Sequence, residues 1–112
     1  MMYDLNSTAE RTSLLQQVLL SGLADLRGGD GLAPFFVKTL THELSDILEY
    51  YTAMSELPKT LVAIIYYLAM ELPSIGEMYK GENREKIFAF HVAVDDLITR
   101  HLNPWIVQPT DE

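Results

Sequence analysis

The segment Leu61–Leu72 reads Leu-Val-Ala-Ile-Ile-Tyr-Tyr-Leu-Ala-Met-Glu-Leu, and Glu71 is its single charge. Pro58 stands before it and Pro73 after it. A helix apolar on every side must be covered on every side. At ~1.5 Å per residue it would be roughly 18 Å long, short of a ~30 Å hydrocarbon core. The segment is therefore expected as the central helix, near 59–72, of a bundle wrapped by amphipathic neighbours. No membrane is implied.

Those neighbours are visible as helical spacing. Ser7-Thr8-Ala9-Glu10 matches a capping box, after which Leu15, Val18, Leu19, Leu23 and Leu26 recur on one face. Gly28-Gly29-Asp30-Gly31 ends that helix in a flexible connection. Gly22, inside it, suggests a close helix crossing. A second helix is expected from Pro34, with a seam of Val37, Leu40, Leu44, Ile47, Tyr51 and Met54. Pro73 should end or kink the central helix. A second capping box, Ser74 to Glu77, predicts a short helix over 74–80. The last helix should run from about Asn83 to Leu102, with Ile87, Phe90, Val94, Leu97, Ile98 and His101 on one face and Asn103-Pro104 as its stop. The expected fold is all-α: one domain over 1–112, a compact bundle of four main helices plus one short one, with flexible ends at 1–6 and 108–112.

The bulk properties narrow the function classes. Hydrophobic residues are 48% of the chain, enough to bury a core. There are no cysteines, which excludes disulfides, thiolate metal sites and a thiol nucleophile, and fits a reducing, cytoplasmic setting. Net charge is −8, from sixteen acidic and eight basic residues. Direct nucleic-acid binding needs a basic patch and is not expected. The charge suits a soluble acidic protein or one with a basic protein partner.

Few residues could carry chemistry. His42 and Asp46 are four apart, as are His91 and Asp95, so each pair shares one patch of helix surface. Two such pairs facing each other would make an N/O metal site for a metal-binding bundle or a metal-dependent hydrolase. His42-Glu43 starts a zinc-protease pattern, but Asp46 stands where its second histidine belongs. His42 and Asp46 also lie opposite the apolar seam, so a surface pair is the preferred reading. No cofactor and no tightly held metal are expected. The glycine run lacks the lysine and spacing of a phosphate loop. His101, in a last helical turn, suits capping of free carbonyls.

The aromatic residues point to binding. Tyr50-Tyr51 and Tyr66-Tyr67 are adjacent pairs, and both rings of a pair cannot point the same way on a helix. Amphipathic rings are enriched at interfaces. Tyr50, Tyr66 and Tyr67, with Phe35, Phe36 and Trp105, are the candidate partner-binding residues. Ile65-Tyr66-Tyr67 resembles the start of an Ile-Tyr-Tyr-Pro stretch in small acidic four-helix proteins that neutralise bacterial nuclease toxins. Leu68 replaces the proline, the likeness covers those three residues, and no functional residue is carried over from it.

The sequence thus predicts a small acidic, non-enzymatic protein-interaction module: a regulator, inhibitor, immunity factor or assembly adaptor. Self-association is expected because a short chain has few helices with which to cover an all-apolar one, and a homodimer would supply more. The alternatives are the metal-dependent enzyme or metal-binding bundle, and a nucleic-acid mimic occupying a basic cleft. The mimic needs acids gathered on one face, whereas here they spread from Asp4 to Glu112.

Overall fold

A computed structural model describes residues 5–54 and 56–102. Its elements are α1 (Leu5–Arg27), α2 (Pro34–Thr52), α3 (Lys59–Gly76) and α4 (Gly81–Leu102). The fold is all-helical, with no strand among the described residues. The Asn103-Pro104 stop, Trp105 and the ends 1–4 and 108–112 lie outside the described residues.

Two antiparallel hairpins, α1–α2 and α3–α4, pack on each other. Arg11 meets Glu43 and Asp46, while Gly22 meets Phe36, which sets α1 antiparallel to α2. Arg27 reaches Glu71, and Leu26 reaches Tyr79, so α1 and α3 are parallel neighbours. Each helix has two neighbours: α1 touches α2 and α3, and α4 touches α2 and α3. The pairs α1–α4 and α2–α3 lie across the diagonals. The domain is 21 Å thick along its shortest axis, which is two helix diameters.

The core follows from the spacing. Leu15, Leu19, Leu23 and Leu26 of α1 pack with Leu40, Leu44, Ile47 and Tyr51 of α2. Ile87, Phe90, Val94 and Leu97 of α4 complete it with Leu61, Ile64, Leu68, Leu72 and Ile75 of α3. Two threonines, Thr8 and Thr12, are also buried, and the Thr12 hydroxyl donates to the Thr8 carbonyl at 2.8 Å.

Three expectations need correction. The all-apolar helix is present but is not enclosed. With two neighbours it buries one side, while Val62, Tyr66 and Met70 are 49%, 63% and 53% exposed. The short fifth helix is absent as a separate element. Ser74, Ile75 and Gly76 continue α3 through Pro73, because Leu72 and Ile75 on either side of the proline are buried and hold the last turn in place. Ala69, whose carbonyl loses its bond to that missing N–H, is an exposed residue, so water can stand in for the lost donor. Finally, Leu5 and Asn6 already belong to α1, so Ser7 lies within the helix and not at its cap.

Gly22 is required by a close approach. A Cβ there would stand 2.2 Å from the Phe36 ring. That ring is itself held edge-on to Phe90, with centroids 5.9 Å apart. Helix propensity favours Gly22→Ala by up to about 1 kcal/mol, but overpacking should reverse the sign and leave the variant about 1–3 kcal/mol less stable. Urea unfolding checks this, and a stabilised variant would contradict the crossing. The two-sided nature of α3 gives a second expectation: Leu68→Ala costs about 2–5 kcal/mol, whereas Val62→Ala at low protein concentration stays within about 0.5 kcal/mol of wild type.

Candidate interaction surface

Large apolar side chains are exposed singly elsewhere among the described residues, as at Leu14, Phe35, Met78 and Val92, but the outward side of α3 carries a row of them. Val62, Tyr66 and Met70 follow each other at intervals of four and form a ridge, opposite the buried Leu61, Ile64, Leu68 and Leu72. Beside the ridge runs a groove of 320 Å³ between α3 and α1. Leu19 and Ile64 lie deepest in it, Leu20, Ala63, Tyr66 and Tyr67 form its sides, and Gln16 is its one amide. Leu20 is 49% exposed.

This face carries no formal charge. No ionisable acid, lysine, arginine or histidine occurs from Thr12 through Ala24 of α1, or from Thr60 through Met70 of α3. Parallel packing of α1 and α3 places these two stretches side by side. Charges border the face: Asp25 and Lys59 are exposed at its limits, and Arg27 is paired. At one end the Arg27 guanidinium donates to the Tyr67 hydroxyl at 3.1 Å and to Glu71, and lies 5.7 Å from the centre of the Tyr67 ring. The hydrogen bond to Glu71 is the main reason the Arg27 pKa is raised, with the Tyr67 bond second.

The sequence candidates fall at different places. Tyr66 is on the ridge, and Tyr67 is half-buried in the groove under Arg27. Tyr50 is half-buried against the core and stands edge-on to the buried Tyr51, with centroids 5.0 Å apart. Burial, reinforced by Tyr50, raises the Tyr51 phenol pKa. Its neutral form therefore favours the fold below its ordinary value near ~10, and that contribution fades as pH rises beyond it. Phe35, at the start of α2, is 80% exposed and shares a shallow hollow with Lys38 and Lys86. Phe36 has a different fate from its neighbour. At 7% exposed, it is a core residue between Gly22 and Phe90, and it reaches the surface only as part of the lining of a hollow between α1 and the start of α2. Trp105 lies outside the described residues. Leu20, Val62 and Met70 were not among the candidates. The signal that marks them is the charge-free stretch of α1 matched with that of α3.

The histidine–carboxylate pairs do not converge. His42 Nε2 is 3.5 Å from Asp46 Oδ2, as their spacing implies. That carboxylate also takes a hydrogen bond of 3.2 Å from Arg11 of α1, whose Nε donates to Glu43 at 2.8 Å. Burial alone would lower the Arg11 pKa, but the bonds to Glu43 and Asp46 outweigh it and leave the group raised. His91 is half-buried on α4, and Asp95 is exposed. Among the described residues no three His, Asp or Glu side chains are grouped to hold an ion, and no helix is long and apolar enough to cross a membrane. Comparison with protein families, characterised proteins and solved structures finds no match to this chain, so the surface itself carries the functional reading.

The Arg11 cluster tethers α1 to α2 at the far end from the glycine loop, and its partly buried setting gives it weight. A double-mutant cycle of Arg11→Met with Asp46→Asn, read by urea unfolding, should show coupling of about 0.5–3 kcal/mol. Coupling near zero would rank the pair with exposed ion pairs that add nothing.

Proposed function

We propose that this protein is a small, acidic, non-enzymatic interaction module, a regulator, inhibitor, immunity factor or assembly adaptor, that works by laying its α1/α3 face against another protein. One observation carries the reading: the ridge of Val62, Tyr66 and Met70, with Leu20 beside it, is exposed on a face without charge. Removing apolar surface from water contributes about 25 cal/mol per Å². Contiguous exposed apolar patches of this kind mark interaction sites, and aromatic side chains such as Tyr66 commonly anchor them. In the complex α3 gains the remaining cover that its composition demands and becomes a central helix. The absence of cysteine supports a cytoplasmic setting for this assembly.

The test compares wild type with the Val62→Glu/Met70→Glu double variant as immobilised baits, both checked for helix content by circular dichroism. Each is exposed to a lysate of the source cells supplemented with a tagged second copy of the chain. A glutamate in an apolar interface loses its hydration, so the double variant should retain at least roughly tenfold less of a bound protein, the effect of about 1.4 kcal/mol. Equal retention by both baits, or none by either, would overturn the reading.

A further inference from the structure

We propose that the occupant of the α1/α3 face is a second copy of this chain, related to the first by a two-fold axis between the α3 ridge and the groove beside it. The proposal rests on the interaction reading above and identifies its partner.

The charge distribution selects the partner. At a net charge of −8, two copies repel each other over most approaches. The repulsion is weakest where neither surface carries charge, and the face from Thr12 to Ala24 and from Thr60 to Met70 is such a place. A basic partner would gain more from the acidic remainder of the surface than from this face. A matching surface must be apolar and uncharged, and the face itself meets that requirement. Where Arg27 and Glu71 border it, the two charges already neutralise each other, so docking there does not strand either of them.

The shape is self-complementary. A two-fold contact pairs each patch with its own copy, so a residue that fits a partner site must also offer that site. Here the projection and the recess lie side by side. Tyr66 belongs to the ridge and also borders the 320 Å³ groove toward Leu20. Rotation by half a turn brings each Tyr66 to the other copy's groove and leaves Ala63 of both copies near the axis. The paired faces span two helices, each ~10 Å across, over roughly 18 Å. That footprint, roughly 360 Å² per copy, is below the ~800 Å² per partner of a standard interface, so the dimer should be weak and exchange at micromolar concentration.

Light scattering coupled to size exclusion tests this on the full chain. Wild type should approach twice the 12.7 kDa chain mass at high micromolar concentration and fall toward it on dilution. Tyr66→Glu should remain folded and hold the single mass throughout, while Phe35→Glu should behave as wild type. Because the chain has no cysteine, single thiols report single positions. Ala63→Cys should oxidise to a covalent dimer, whereas Ala93→Cys, exposed on α4, should not. This pair decides the matter if Tyr66→Glu fails to fold. A wild-type mass of one chain at every concentration, a dimer indifferent to Tyr66→Glu, or equal cross-linking at Ala63 and Ala93 would overturn the proposal. If the baits then retain a different protein through the same face, the interaction module stands without the dimer; if they retain nothing, both fall.

Discussion

Phe36 is the point at which three of the four helices are held together. Its backbone belongs to α2, its ring covers the bare backbone of Gly22 on α1, and its edge meets Phe90 of α4. The first contact closes one hairpin, and the second docks that hairpin on the other. Once the hairpins are stacked in two layers, every helix has two neighbours and one outward sector. In α1, α2 and α4 that sector is mostly polar and small side chains, with exposed apolar residues such as Leu14, Phe35 and Val92 scattered among them. Helix α3 cannot do the same, because its sequence from Thr60 to Met70 contains no charge to put there. The exposed ridge is thus the remainder left when an all-apolar helix is placed at a corner of a two-layer domain.

The parts of the fold that depend on local spacing were legible. Leu15, Leu19 and Leu23, or Leu40, Leu44 and Ile47, share a face whatever their surroundings, and these are buried. The pairing of helices was not legible, because it depends on contacts between residues far apart, such as Arg27 with Glu71 or Leu26 with Tyr79. Neighbour number decides whether an apolar helix is central, and no periodicity encodes it. Proline chemistry was also read too strictly. Pro73 lies in a turn whose flanking residues are buried on the same core, so packing carried α3 past it.

The candidate surface was half legible for the same reason. Tyr66 stands out as one ring of an adjacent pair, but Phe35 and Phe36 look equivalent until a neighbouring helix distinguishes them. Their directions differ by ~100° around α2, and Gly22 provides room for only one ring. Leu20 was hidden among leucines that fill the core, although the absence of charge on both sides of it was already visible. The histidine pairs show the converse. The i,i+4 contact of His42 with Asp46 formed as spacing required, and Arg11 from another helix then engaged the carboxylate.

The loop after α1 shows how order can be borrowed. Gly29, at φ 93°, closes the helix by a pair of backbone bonds, Asp30 N–H to the Asp25 carbonyl and Gly29 N–H to that of Leu26. Beyond this the glycine-rich turn is fastened from outside: the Gly31 N–H donates to the Tyr79 hydroxyl at 3.0 Å, and that hydroxyl donates to the Leu26 carbonyl at 2.6 Å. Tyr79 belongs to the connection between α3 and α4, so one phenol fastens the corner of the first hairpin to the corner of the second. A segment whose composition favours many conformations is thereby restricted by a residue 48 positions away. The hinge that three glycines would otherwise make is locked only while the two halves of the chain stay docked. Its rigidity is a property of the tertiary contact and not of the loop.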